Sequence, residues 1–249
     1  MNARRITPCL DTKDGKVVKG VRFEGLSEMG DPVAMAVEYE GQGADEITLL
    51  DISASGEGRK TMLDLVARVS DAITVPLVVG GGISSVDDAI KVLDAGADRV
   101  SMNSAAVRRP ALVGECALEL GGEAVVVAID AVASGKSWKV CVAGGREVVD
   151  LDAVEWARRA EGMGAGSILL TSKDADGVKE GYDIPLTAAV SGAVSIPVTA
   201  SGGCGSMEHI YEVFAKTKAR TALAASVFHY GDCTVAQAKE YLRERGIGI

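Results

Sequence analysis

The sequence is poor in aromatic residues, histidine and proline, and it carries no excess of positive charge. Aromatic residues make up 4% of 249 positions, and six prolines stand against thirty glycines. With 47% hydrophobic and 24% charged residues the chain is globular in composition, which excludes collagenous, coiled-coil and disordered classes. Only two histidines occur, His209 and His229, and although Cys204 and Cys233 lie five and four residues from them, neither pair has a further His or Cys nearby to complete a ligand set, so no metal site is expected. The five cysteines (Cys9, Cys116, Cys141, Cys204, Cys233) are odd in number, scattered and without a CxxC pair. That argues against a disulfide framework and for free thiols in a reducing compartment. No apolar run approaches the roughly 20 residues of a membrane span. The opening stretch MNARRITPCLDTKDG has no apolar segment of signal-peptide length, so a cytoplasmic location is expected. A formal net charge of −9 makes the chain a poor partner for nucleic acid or an anionic membrane surface. Acidity does not exclude anionic metabolites, because backbone N–H groups at helix starts bind phosphate locally.

What is present is an alternation of short apolar runs with helical patterns. The runs are 5–10, 46–50, 75–79, 99–102, 124–129, 167–170, 196–200 and 221–225. Most are continuous rather than alternating, as in parallel strands buried on both faces. Helical spacing lies between them. Met62, Leu65, Val66 and Val69 form one apolar face, Val33, Ala36 and Val37 another after Asp31-Pro32, and Val235, Ala238 and Leu242 a third after Thr234. Further helices are expected near 85–95, 107–120, 152–163, 184–193 and 207–215. Eight strand–helix units in one chain of this length predict a single α/β domain over 1–249, a closed (β/α)8 TIM barrel, with a doubly wound open sheet as the alternative. Two connections are long. Thr12 to Asp31 follows the first strand and is placed to act as a lid; Ala131 to Val148 follows the fifth and contains SWKVCV, a hairpin sequence. The two halves also resemble each other: LLDIS at 49–53 and LLTSK at 169–173, VVGGGI and TASGGCG, SMNSAAV and AASVFHY. The pairs lie about 120 residues apart, so the barrel reads as half-barrels of about 1–120 and 121–249.

The residues able to carry chemistry come in pairs. Asp11 and Asp130 end the first and fifth strands, which face each other in an eight-stranded barrel. Two carboxylates in unequal environments can divide acid and base roles. An aspartate at a strand end is commonly only a turn former, and it is the symmetric placement that favours chemistry. Gly80-Gly81-Gly82 follows the third strand and Ser201-Gly202-Gly203 the seventh. Each lets backbone N–H groups converge on an anion. Asn103-Ser104 and Ala225-Ser226 complete two cradles, which suit a diphosphorylated ligand. Thr171, Asp176 and Gly177 follow the sixth strand at the same face, with Asp51 as the half-barrel counterpart. Lys19, in the long first loop, is either a mobile phosphate-binding cation or an ordinary solvated lysine. His209 and His229 read as structural, and Trp138 and Trp156 as hairpin and helix packing.

Taken together, the stretches CLDTKDGKVVKGVRFEGL, GADEITLLDI, VVGGGI, GADRVSMNSAAV, VVVAIDA, GAGSILLTSKDADGVKEGYD, TASGGCGSMEHI and ALAASVFHYG resemble the cyclase subunits of imidazole glycerol phosphate synthase, along essentially the whole chain. The resemblance implies a lyase of histidine biosynthesis with no cofactor. Ammonia from a separate glutaminase subunit, in a heterodimer, would pass through the barrel to a diphosphorylated ribulosyl aminoimidazole carboxamide substrate. It implies Asp11 and Asp130 as the acid/base pair, the two cradles as phosphate sites and Lys19 as part of the closing loop. At the opposite face the family places a charged ring of Arg, Glu, Lys and Glu around the ammonia entrance. Here those positions hold Arg5, Glu46, Arg99 and Ser167, with Asp98 as the usual contact to the glutaminase. Val78, Glu123 and Val178 stand where threonine, glutamine and threonine are usual. The altered ring leads to an expectation of weakened glutamine coupling. A sugar isomerase of the same pathway, and a barrel that binds without catalysis, are the competing readings.

Overall fold

The computed structural model describes residues 3–21, 24–52 and 58–249, and side chains within them other than those of 19–21, 24–26 and 58–61. The chain opens with β1 (Arg5–Lys13), β2 (Lys16–Val21) and β3 (Glu24–Gly30), then α1 (Pro32–Gly41), β4 (Ile47–Asp51) and α2 (Gly58–Ser70). It continues with β5 (Leu77–Gly80), α3 (Val86–Asp94), β6 (Arg99–Met102), α4 (Ser104–Arg108) and α5 (Ala111–Leu120). The second part runs β7 (Val125–Ser134), β8 (Ser137–Val142), β9 (Glu147–Asp152), α6 (Ala153–Gly162), β10 (Ser167–Ser172) and α7 (Ile184–Ala193). It ends with β11 (Val198–Ser201), α8 (Met207–Lys216), β12 (Thr221–Ala224), α9 (Ser226–His229) and α10 (Val235–Glu244). Among the described residues, eight parallel strands close in the order β1, β4, β5, β6, β7, β10, β11, β12, with β12 pairing back to β1. This is a (β/α)8 barrel, and the open-sheet alternative falls.

Side-chain alternation along each strand sorts residues into two apolar layers. Ile6, Leu10, Val125, Val127 and Ile129 point outward into the large cluster shared with the helices. Cys9, Val78, Val126, Leu169, Leu223 and Ala225 form a separate small cluster inside the barrel. Residues two positions further along the same inward rows stand at the C-terminal mouth: Asp11 after Cys9, Thr171 after Leu169, and Asp130 after Ala128. Two positions earlier the rows turn polar. Thr7 and Thr48 are buried with their hydroxyl oxygens 3.1 Å apart.

Carboxylates organise the strand–helix joints. Asp31 caps α1 by accepting from the Val33 and Ala34 amides, and Asp152 caps α6 in the same way. Glu40 Oε1 accepts from the amides of Thr74 and Val75 and the Thr74 hydroxyl; Glu161 Oε1 does the same for Ser195 and Ile196. These latches explain why two strands begin later than the apolar runs suggest. The amides of 74–75 and 195–196 are taken by glutamate, and the next residues, Pro76 and Pro197, have no N–H to give. Strand pairing therefore starts at Leu77 and Val198 instead of 75 and 196.

Other expectations need correction. The helix expected over 107–120 is two helices, broken at Arg109-Pro110. Val37 is exposed, and α1 instead buries Pro32, Ala36 and Tyr39. The first long connection is not an irregular loop in its described part. β1 runs on to Lys13 and pairs antiparallel with β2, which pairs with β3. The SWKVCV segment does form a hairpin strand, β8, between an extended β7 and β9. The helix faces of Met62, Leu65, Val66 and Val69 and of Val235, Ala238 and Leu242 are buried as expected, and Thr234 forms a capping box with Gln237. Trp156 is fully buried in α6, and Trp138 packs from β8 against the core. All five cysteines are buried thiols, none of them in a disulfide.

Candidate active site

A cavity of about 940 Å³ occupies the C-terminal mouth of the barrel. Asp11 and Asp130 both line it, from strands four places apart around the closed sheet and therefore opposite each other. The Cys9 thiol donates to Asp11 Oδ1 at 3.4 Å. Asp130 Oδ2 accepts from Asn103 Nδ2 at 3.0 Å. Burial, and next the charge of Asp176, push the Asp130 carboxyl up to about 6, against the opposing effects of the Asn103 hydrogen bond and the Lys173 ammonium.

The glycine turns form the other two walls. Gly81 and Gly82 follow β5, and Gly202 and Gly203 follow β11, directly across the barrel. Gly81 has φ +109°, and a Cβ there would run into the carbonyl oxygen of Asp51. Gly202 has φ +90°, and a Cβ there would lie 2.6 Å from the carbonyl oxygen of Ser172. Only glycine fits at Gly81 and at Gly202, because the end of the neighbouring strand, Asp51 of β4 or Ser172 of β10, packs against the turn. Asn103 and Ala225, preceding α4 and α9, share an unusual backbone (φ −119°, ψ −85° and φ −125°, ψ −73°). Ser104, Ser226, Thr171, Asp176, Gly177, Ser201 and Asp51 also line the cavity. The fold thus gathers the expected mouth residues into one space, Lys19 apart. The Lys19 backbone lies in β2, and its side chain falls outside the described residues.

Two of these residues are tied to a neighbouring element rather than turned wholly to the cavity. Asn103 spends its other amide hydrogen on the Cys141 carbonyl at 3.1 Å, and Ser104 Oγ accepts from the Ala143 amide at 2.9 Å. Both bonds hold the β8–β9 turn over the mouth. The Lys173 ammonium donates to the Gly145 carbonyl from the other side. Cations that the sequence reading did not single out also line the cavity: Lys13, Arg108, Arg109, Arg146 and Lys179. Lys179 was the most findable, two residues after Gly177, but nothing in a lone lysine marks it.

At the N-terminal end, Glu46 is buried and ion-paired with Arg99. Burial raises its pKa, and the charges of Arg99 and then Arg5 oppose that rise. Ser167 is buried at the first position of β10, and Asp98 is exposed and accepts from the Leu77 amide at 2.7 Å. Among the described residues no group of three His, Cys, Asp or Glu is placed to hold a metal ion, and no helix is long and apolar enough to cross a membrane. His209 accepts from the Gly205 amide at 3.1 Å, and His229 meets the Tyr39 hydroxyl at 2.6 Å.

A closed (β/α)8 barrel with facing carboxylates and facing glycine turns at one mouth defines a class of barrels built around a single cavity at the C-terminal strand ends. The family model described as "Histidine biosynthesis protein" matches residues 5–234. The chain is 55% identical over 266 aligned residues to "Imidazole glycerol phosphate synthase subunit HisF" of Methanopyrus kandleri (strain AV19), covering 99% of this chain and 98% of that protein. The chain belongs to the histidine biosynthesis family and, within it, to the HisF subunits of imidazole glycerol phosphate synthase.

Proposed function

We propose that this chain is a cytoplasmic cyclase that takes ammonia from a glutaminase subunit. It would convert a diphosphorylated ribulosyl aminoimidazole carboxamide to imidazole glycerol phosphate and aminoimidazole carboxamide ribonucleotide, with Asp11 and Asp130 as the acid/base pair. The observation that carries this reading is the crossed arrangement at the mouth. The carboxylates face each other along the line from β1 to β7, and the glycine turns face each other along the line from β5 and β6 to β11 and β12. A ligand with a phosphate in each turn has its middle, where the ketone lies, between the two carboxylates.

The chemistry follows from that placement. Ammonia adds to the ketone carbon, and loss of water leaves an imine. A proton then leaves the adjacent carbon, the new nitrogen bonds to the one-carbon unit that carries the ribonucleotide and closes the imidazole ring, and the ribonucleotide departs from that carbon as its protonated amine. Each step moves a proton to or from an atom between two carboxylates. Asp130, raised to about 6, is ionised at mildly alkaline pH yet close enough to neutrality to return a proton. The inward rows of the barrel supply a route for a small neutral amine, past buried Thr7, Thr48, Ser101 and Thr221 hydroxyls. Arg5, Glu46, Arg99 and Ser167 stand at the end where it would enter, and exposed Asp98 beside them would meet the glutaminase.

The test is turnover of the purified chain with the diphosphorylated substrate and an ammonium salt at mildly alkaline pH. Ammonia-dependent formation of imidazole glycerol phosphate is expected. It should be lost in Asp11→Asn and in Asp130→Asn, with substrate binding largely retained. Turnover indifferent to ammonia would instead make the chain a sugar isomerase, and near-normal rates in either variant would remove that aspartate from the mechanism.

A further inference from the structure

Lys179 holds a position that neither the acid pair nor the glycine turns require. It sits in the connection after β10, and its side chain reaches Asp232 and Tyr230, beyond α9 in the connection after β12. Its Nζ lies 3.1 Å from Asp232 Oδ2 and 4.4 Å from the centre of the Tyr230 ring. In the closed sheet β11 lies between β10 and β12, so the side chain passes over the turn that follows β11. That turn is Gly202-Gly203, one of the two cradles. The backbones confirm the stacking: the Gly181 amide donates to the Gly203 carbonyl at 2.8 Å, and a Cβ on Gly205 would strike the Lys179 carbonyl. Lys179 is itself left-handed, at φ +64°. A non-glycine residue in that region is held at a cost, and such residues gather at binding sites.

We propose that Lys179 is a phosphate-binding residue of the Gly202-Gly203 cradle, its ammonium passing from Asp232 and Tyr230 to the ligand phosphate on binding. The proposal rests on reading that cradle as a phosphate site. The side chains of Lys179 and Asp232 are 37% and 47% exposed, and an ion pair that wet is weak. A phosphate dianion held by backbone amides beside the same ammonium offers a charge-assisted bond that is shorter and drier. The four-carbon stem lets the ammonium change partner without moving the strained backbone. Asp232 then serves as a placeholder.

The alternative is that Lys179 is only a strap between two loops, and three variants separate the two. Inorganic phosphate binding is measured by calorimetry at low salt, and ammonia-dependent turnover is measured beside it. Lys179→Ala should weaken phosphate binding at one site and raise KM about tenfold, with kcat within about twofold. Lys179→Arg should restore most of the KM. Asp232→Ala removes the strap but keeps the cation, and should leave KM unchanged or lower it. A Lys179→Ala protein with wild-type KM and phosphate affinity overturns the proposal. So does an Asp232→Ala protein that loses KM and thermal stability in step with Lys179→Ala, because that is how a strap behaves. A wild-type chain that binds no phosphate overturns both this proposal and the reading of the cradle.

Discussion

Asp130 is held where its charge is disfavoured, and this has consequences for stability and for rate. Its carboxyl titrates near 6 in the folded chain against 3.8 ordinarily. A raised carboxyl pKa means that the fold favours the protonated form. Stability therefore falls as pH rises from about 3.8 to about 6 and stays lower above that range. The penalty is at most about 3 kcal/mol. Asp130→Asn removes the charge and keeps an oxygen for the Asn103 amide. Urea melts should show the variant more stable than wild type at pH 8, by up to about 3 kcal/mol, with little gain at pH 4, although its turnover is lost. An equal change at both pH values would mean that Asp130 carries no such burden. The same carboxyl should set a limb near pH 6 in the pH profile of kcat/KM. Since the charge of Asp176 helps to raise Asp130, Asp176→Asn should move that limb to lower pH; a limb that stays in place would break the link. The mouth residues were legible because strand-end carboxylates and glycine turns recur at matched spacing. Their partners were not. That Asn103 donates to both Asp130 and the Cys141 carbonyl depends on where the β8–β9 turn folds, and no local pattern encodes it.

At the scale of elements, the strands were readable from apolar runs and the helices from their caps, and the errors have common causes. The apolar runs 75–79 and 196–200 begin two residues ahead of the observed strands because a glutamate 35 residues upstream in each case, Glu40 for Val75 and Glu161 for Ile196, captures the local amide. The excursion β1–β2–β3 reads as loop because KDGKVVKG alternates only weakly, although its pairings, β1 with β2 and β2 with β3, are local. The glycine turns make the sharper prediction, because neighbouring glycines there differ in kind. Gly81→Ala drives a methyl into the Asp51 carbonyl at φ +109° and should cost well over 2 kcal/mol, or move the loop that carries Asp51. Gly82→Ala, at φ +66° with open space around the new methyl, should cost only about 1 kcal/mol, the left-handed penalty alone. Denaturant midpoints of the two variants test this, and equal losses would show that the packing of Asp51 on the turn is unimportant.

For the whole molecule, the two ends of the barrel are related by charge as well as by shape. The C-terminal mouth holds the two carboxylates proposed to exchange protons, whereas the N-terminal end holds two guanidiniums, Arg5 and Arg99, bearing on one buried carboxylate, Glu46. The overall chain is acidic, at −9, and at this end Asp45 also bears on Glu46 beside the two guanidiniums. On the proposed ammonia route, two guanidiniums around one ring carboxylate would favour neutral ammonia over ammonium. Ser167, buried at the start of β10, stands where the resemblance to the cyclase subunits implies the second acid of the ring. Ser167→Glu should restore two charges of each sign and strengthen the electrostatic order of the ring. With the glutaminase subunit present, the ratio of glutamine-dependent to ammonia-dependent turnover should rise severalfold. The ammonia-dependent rate of the isolated chain, supplied through the open C-terminal mouth, should change little, because the carboxylates and cradles are untouched. A ratio that stays constant would show that coupling is set elsewhere on the face the two subunits share; a fall in the isolated rate would show that the ring acts on the distant acid pair.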